Sequence, residues 1–322
     1  MNAAGRGLTF MAHILITEQI DSVGPSLLED AGHTIIRMAT REQSELAEKI
    51  KDADAVIVRI LDLPADIICN APRLKIIAKH GVGLDNIDLN AAKEAGVAVT
   101  VTPNANSLSV AEHTVTLMLA LSKNIPQVPN RYREIGFAAK NCAPGVEVSG
   151  KTLGIIGCGQ IGSRVAKIAV GGFDMRVLVY DPYITQAPAG CELVLERDAV
   201  FKTADFVTLH CALCRETFHG VGERELALMK PDAIFINCGR GPLVDENALI
   251  AALSEQKIRG AGLDVTEKEP CDPGSPLFSM PNVILTPHYA PTTVEAAARV
   301  SQIAAENVAA FLNGGTVVGR IV

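Results

Sequence analysis

Short apolar runs recur along the chain, each followed by a stretch in which apolar residues return every third or fourth position. HILIT (13–17), TIIRM (34–38), AVIVR (55–59), KIIAK (75–79) and VAVTV (97–101) read as strands. Between them SELAEKIKD (44–52) and NIDLNAAKEAG (86–96) read as helices, the second closed by a glycine at its carboxyl end. Strands that are apolar on both faces need helices over both faces, the arrangement of a parallel sheet. A long helix is predicted from near Ser107 through VAEHTVTLMLALS (110–122). KNIPQVPN and FAAKNCAPGVEVSG (137–150) then read as an irregular hinge or arm. The alternation restarts with TLGIIG (152–157), RVLVYD (176–181), DFVTLHC (205–211), AIFINC (233–238), GAGLDV (260–265) and NVILTP (282–287). Two complete series predict an α/β protein of two doubly wound parallel-sheet domains. The last helix, predicted over 293–314, follows the second series, and a natural docking place for it is the first domain.

Composition narrows the class without changing the fold. The 322 residues suit two domains, and 48% hydrophobic with 20% charged residues suits a full core. A net charge of −7 gives no basis for a nucleic acid or anionic membrane partner. No apolar run approaches the ~20 residues of a membrane span. The first ten residues, MNAAGRGLTF, lack the apolar run of a secretory leader, and Met11 could serve as an alternative start. Eight scattered cysteines without framework spacing point to a reducing cytoplasm. Cys211 and Cys214 form a C-x-x-C, but with no second pair they read as small residues after a buried strand, and no metal site is expected.

The strongest local signal is TLGIIGCGQIGSRVAKIA. Gly157, Gly159 and Gly162 form G-x-G-x-x-G directly after a strand and at the opening of a helix. In that context the first glycine permits the tight turn, the second admits a pyrophosphate to the backbone, and the third lets helix and strand approach. The helix amino terminus then favours the anion. The next strand ends at Asp181, nineteen residues after Gly162, where an acid can bind both ribose hydroxyls. A carboxylate there repels the extra phosphate of NADP, and Pro182 and Tyr183 supply no arginine to receive it. The expected cofactor is NAD.

FINCGRGPLVDE (235–246) sets a permanent cation, Arg240, between Gly239 and Gly241 at the end of an apolar strand. A planar guanidinium fork matches a carboxylate. The next strand leads into GLDVTEKEP, with Asp264 and Glu269, and the one after it into ILTPHYA, with His288. Each alone could be an ordinary surface or capping residue. Three at one sheet edge beside a dinucleotide fingerprint suggest catalysis.

With GVGLDNIDL, TPNANSLSVAEH, GIIGCGQIG, INCGRGPLVDE, LDVTEKEP and TPH in this order, the chain resembles the D-2-hydroxyacid dehydrogenases over nearly its whole length. It is most similar to the D-3-phosphoglycerate dehydrogenase branch without regulatory domains. The resemblance implies a flavodoxin-like substrate-binding domain at 1–104 and 291–322 and a Rossmann NAD-binding domain at 105–290, with the active site in the cleft between. It also implies a homodimer built on the helix and arm after the hinge. Matched residue by residue, Arg240 is the substrate-binding arginine, Glu269 its acid partner in the proton relay and His288 the proton donor. Asp264 matches the carboxylate that orients the nicotinamide carboxamide. Gln160 and Ile161 fall at the pyrophosphate, Cys211 and Ala212 beside the adenosine, and Cys238, Gly239, Arg240, His288 and Ala290 beside the nicotinamide. The backbone of His80, Gly81, Val82 and Gly83 matches the loop that grips the substrate carboxylate.

Two departures bear on the substrate. Tyr289, Ala290 and Pro291 follow His288 where the family often has small residues, and Lys79 and His80 stand where the phosphoglycerate branch favours Arg and a small residue. Arg59, Lys79 and His80 together exceed the donors one carboxylate needs, so a substrate with a second anionic group is expected. Hydroxypyruvate or glyoxylate reduction is an alternative. An NAD-sensing binding protein of the corepressor type keeps the same Arg, Glu and His, so these residues alone do not separate it from an enzyme. Formate dehydrogenases carry an amide where Glu269 stands.

Overall fold

The computed structural model describes residues 11–142 and 144–322, so the reading of the first ten residues lies outside them. The chain divides into two compact units, one running up to Asn106 and resumed by Thr292–Val322, the other Ser107–Pro291.

In the first unit, β1 (His13–Ile16), β2 (Thr34–Arg37), β3 (Ala55–Val58), β4 (Ile76–Lys79) and β5 (Ala98–Thr100) form one sheet in the order β2-β1-β3-β4-β5. All pairings are parallel. Every residue of β3 and β4 is buried, as strands covered on both faces must be. The order is the flavodoxin-like one, whose switch point lies between β1 and β3. Helix Leu89–Glu94 begins where the Asp88 side chain accepts from Ala91 N. The terminal helix, Val294–Leu312, starts at Thr293, which accepts from Ala296 N. Its Ala304, Ala305 and Val308 share a core with Ile14, Ile16 and Leu28. Ser301 Oγ donates to Asp21 O at 2.7 Å, tying this helix to the start of Val23–Asp30. The chain end also pairs beside β5, through Val101 N to Gly319 O at 2.9 Å and Ile321 N to Val99 O at 2.8 Å.

The second unit holds a seven-stranded sheet: β6 (Thr152–Ile156), β7 (Arg176–Tyr180), β8 (Cys191–Leu193), β9 (Phe206–Leu209), β10 (Ile234–Asn237), β11 (Gly260–Leu263) and β12 (Val283–Leu285). Its order, β12-β11-β10-β9-β6-β7-β8, is entirely parallel and reverses between β6 and β9. That is the Rossmann order with one added strand. Helix Ser107–Ser122 packs on it, with Leu117 and Leu121 in the core beside Ile234 and Ile236.

Two features differ from expectation. The arm is not wholly irregular, because Val128–Ile135 is helical and Gly136–Asn141 continues as a 3-10 helix. Pro129 signals a break, yet it lies in the first turn, where no N–H is needed. Strand β8 has no apolar run to announce it, being three partly exposed residues at the sheet edge. No helix among the described residues is long and apolar enough to cross a membrane.

A buried acid secures the end of β3. Glu18, 8% exposed, accepts from the backbone N–H of Arg59, Ile60 and Leu61 at 3.0, 2.7 and 2.7 Å, and from the Thr17 hydroxyl. Burial pushes its pKa up, but the Thr17 hydroxyl and the three amides outweigh that and hold it below the usual carboxylate value. A depressed pKa stabilises the fold above the unfolded value of roughly 4.3, and the contribution is lost as pH falls through the folded value. Glu18→Gln should therefore lower unfolding free energy near neutral pH by about 1–3 kcal/mol, the cost of under-satisfied buried donors. Urea melts across the acid range should also show a shallower pH dependence than wild type; parallel curves would remove Glu18 from this role.

Candidate active site in the second unit

The glycine turn after β6 is forced by its neighbours. Gly157 has φ +88°, and a Cβ there would lie 2.4 Å from Cys211 N, in the chain leaving β9. A Cβ at Gly162 would lie 2.3 Å from Gly157 O, so helix Gln160–Phe173 can start only this close to the strand. At Gly159, the N-cap, a Cβ would meet nothing within 4 Å. The turn is thus crowded on its inner side and open over Gly159, just before the first helical residues, Gln160 and Ile161. A turn of this shape on a helix amino terminus can accept a pyrophosphate. Asp181 follows β7; its Oδ2 accepts from Cys158 N at 2.7 Å and its Oδ1 from Tyr183 N at 2.9 Å. The acid is therefore fixed beside the turn, and the residues present fit NAD. Cys158 is pushed up to about 11 by burial, and burial also raises Cys211, so neither is a ready thiolate. Cys211 and Cys214 are free thiols.

Arg240 is presented by a turn that Asn237 builds. Asn237, 1% exposed at the end of β10, accepts from Gly239 N at 3.0 Å and donates to Arg240 O at 2.9 Å. Arg240 Nη1 donates to Gly239 O at 2.9 Å. A Cβ at Gly241 would come within 1.8 Å of Thr266 O, so only glycine lets this turn lie against the loop that leaves β11. Cys238 is buried and pushed up to about 12 by that burial.

The loop leaving β11 carries Glu269, and the turn after β12 carries His288. His288 Nδ1 lies 2.9 Å from Glu269 Oε2, with both side chains partly exposed. The bond to Glu269 raises the His288 pKa, burial opposes it, and the Glu269 and Asp264 charges add to the rise against the Arg240 cation. His288 itself has φ +52°, unusual for a residue with a side chain. Its N–H donates to Asp264 O at 2.7 Å.

Asp264 holds this turn in place. Its carboxylate accepts from Thr286 Oγ1 at 2.6 Å, Tyr289 N at 2.7 Å and Ala290 N at 2.8 Å. The residue is 1% exposed. The expected duty of orienting a carboxamide thus falls on a group already engaged by the His288 turn, and Ala290, 2% exposed, joins through its backbone. Asn237 and Thr286 went unassigned in the sequence; a polar residue closing an apolar strand was the available signal for each.

The remaining expected residues belong to the first unit. His80 N donates to Val58 O at 2.8 Å, and Gly81, at φ +140°, accepts through its carbonyl from Thr102 N at 2.9 Å. Val82 is exposed and Gly83 partly so. Lys79, 8% exposed, donates through Nζ to Arg59 O and Asn86 Oδ1. Burial, helped by the Arg59 and Lys79 cations, pushes His80 down to about 4, so it is neutral at pH 7. Of the three donors counted for a second anion, one is engaged inside the unit and one is uncharged. Arg59 has an exposed side chain.

Residues 115–290 match the family described as "D-isomer specific 2-hydroxyacid dehydrogenase, NAD binding domain". The D-3-phosphoglycerate dehydrogenase of Methanocaldococcus jannaschii is 44% identical over 308 residues, 94% of this chain and 58% of that protein. The chain thus spans little more than half the length of that relative. The glyoxylate reductase of Pyrococcus furiosus is 38% identical over 313 residues, 94% of this chain and 92% of that protein. The solved structure of NAD-dependent formate dehydrogenase from Staphylococcus aureus in complex with NAD superposes with a TM-score of 0.83, at 28% identity, covering 96% of this chain and 98% of that one. The chain belongs to the D-isomer specific 2-hydroxyacid dehydrogenase family, and its second unit is that family's NAD-binding domain.

Proposed function

We propose that this protein is an NAD-dependent D-2-hydroxyacid dehydrogenase acting on a small 2-oxo or 2-hydroxy acid. The observation that carries the reading is the 2.9 Å His288–Glu269 pair, in the same unit as a fingerprint turn open over Gly159. Bound NADH supplies a hydride to the carbonyl carbon. The chain's residues supply the rest. His288, kept protonated toward higher pH by Glu269, gives its proton to the carbonyl oxygen from Nε2, since Nδ1 faces the carboxylate. Arg240 receives the substrate's oxygens, and its charge matters more as negative charge develops there. In the oxidative direction neutral His288 takes the proton back.

Catalytic roles for Arg240, Glu269 and His288 and cofactor roles for the fingerprint residues rest on this reading. Substrate contacts from Arg59, Lys79 and the His80–Gly83 loop rest on sequence similarity. A homodimer is supported by the exposed Ile125, Tyr132, Ile135 and Phe137 on and around helix Val128–Ile135. A cytoplasmic location is supported by eight free cysteines. The substrate is either an oxo acid with a second anion, as 3-phosphoglycerate would imply, or a small one such as glyoxylate or hydroxypyruvate. The engaged Lys79 and neutral His80 favour the small acids.

Loss of NADH absorbance with glyoxylate, hydroxypyruvate, pyruvate and phosphohydroxypyruvate tests the activity and ranks the substrates. No turnover with any 2-oxo acid would leave a binding protein as the better description. His288→Ala should lower kcat by roughly 10²–10⁴, the usual worth of a positioned acid–base group. Glu269→Gln removes the anion that raises the His288 pKa, so the alkaline fall of the reduction rate should move to lower pH; an unmoved profile takes Glu269 out of the relay. Arg59→Ala should raise KM for oxo acids with a second anion and leave kcat nearly unchanged, because a remote charge binds ground and transition states alike. Equal KM values in Arg59→Ala and wild type would assign the substrate to the small acids.

A further inference from the structure

We infer that His113, on helix Ser107–Ser122, is a positioning residue that fixes the turn carrying His288 by donating a hydrogen bond to Thr286. The value of fixing that turn rests on the dehydrogenase reading; the geometry does not. His113 Nε2 lies 3.1 Å from Thr286 Oγ1 and 3.6 Å from Asp264 Oδ1. Thr286 has one hydroxyl proton, and its shortest contact is the 2.6 Å bond to Asp264 Oδ1. A carboxylate is the stronger acceptor, so the proton goes there. The Thr286 oxygen then accepts from His113, and Nε2 must carry the hydrogen. The tautomer of His113 follows from the Thr286–Asp264 bond.

Burial favours the neutral ring in this arrangement. Burial lowers the His113 pKa, against the opposing pull of Asp264. The groups facing it are Asp264 from the end of β11 and Tyr289 from the turn, whose ring meets it edge-on at 6.2 Å and 63°. Helix Ser107–Ser122 thus touches the turn on both sides of His288, at Thr286 by a hydrogen bond and at Tyr289 by ring contact. His288 in turn faces Glu269, Asp264 and Arg240. Its left-handed backbone is a costly conformation that persists only where several contacts impose it. His113 is one of those contacts, and it reaches His288 without touching it.

The test is an NMR titration of the imidazoles, with His288 assigned through His288→Gln, in wild type and in His113→Leu, His113→Gln, Thr286→Val and Thr286→Ser. Loss of the donor in His113→Leu, or of the acceptor in Thr286→Val, should bring the His288 pKa down toward the ordinary histidine value. For 2-oxo acid reduction the same two variants should lose about tenfold in kcat with little change in substrate KM, as expected when alignment in the transition state is lost. His113→Gln, whose amide N–H can stand near the Nε2 position, and Thr286→Ser, which keeps the hydroxyl, should hold the wild-type titration. The double variant His113→Leu/Thr286→Val should fall no further than either single one, because both act through one bond. A wild-type His288 titration in His113→Leu overturns the inference, as does a His113→Gln protein of wild-type Tm that titrates like His113→Leu. Should His113→Leu fail to fold, the contrast between Thr286→Val and Thr286→Ser decides the matter. Should no oxo acid be reduced, the dehydrogenase reading fails while the titrations still judge the role of His113.

Discussion

The Asp264 carboxylate is 1% exposed and accepts from Thr286, Tyr289 and Ala290 within 2.6–2.8 Å, and the turn that carries His288 is wound around it. Burying an ionised carboxylate is costly unless its lone pairs are met. Here neutral donors meet them, two being backbone amides that a fold can supply only by bending the chain about the anion. The bend places His288 at a positive φ, and its own N–H closes on Asp264 O at 2.7 Å. Charge burial and backbone strain are therefore settled by the same few bonds. The outcome is a histidine whose Nδ1 faces Glu269, the pairing on which the proposed proton transfer rests.

The first unit repeats the device with another acid. Glu18 collects the amides of Arg59, Ile60 and Leu61 at the end of β3, as Asp264 collects those beyond β12. Parallel sheets end in orphaned backbone groups at their carboxyl edges, and a buried acid there satisfies several at once. Asn237 does the same at β10 with an amide, which can accept from Gly239 and donate to Arg240 together.

Much of this was legible in residue order. Strands apolar on both faces announced parallel sheets, and the break between the two series near the arm announced two of them. The spacing of Gly157, Gly159 and Gly162 before a helix, with Asp181 closing the next strand, was enough to expect a dinucleotide. The arm helix Val128–Ile135 was obscured because Pro129 is read as a breaker without knowing where the first turn lies. Strand β8 is defined by its neighbour β7 and not by its own three residues. The engagement of Lys79 by Arg59 O and Asn86 depends on contacts 20 and 7 residues away along the chain, which no local pattern encodes. Asp264 shows the same limit: its type and strand-end position were visible, but its engagement by residues 286–290 was not.

The placement of helix Val294–Leu312 in the first unit carries a temporal consequence. Ala304, Ala305 and Val308 complete a core whose other walls, Ile14, Ile16, Ala55 and Ile57, are made at the opposite end of the chain. During synthesis those strands emerge early and wait, one face uncovered, while the whole of 107–291 follows. That middle segment is continuous in sequence and can collapse on its own as it leaves the ribosome, since domains generally fold as units during synthesis. The first unit must bring its two chain segments together across that insertion before its core is sealed, a late event even though closure entropy grows only slowly with loop length. Until then a sheet edge and an apolar face are open to other chains, so the window for misassembly is set by the translation time of the inserted unit.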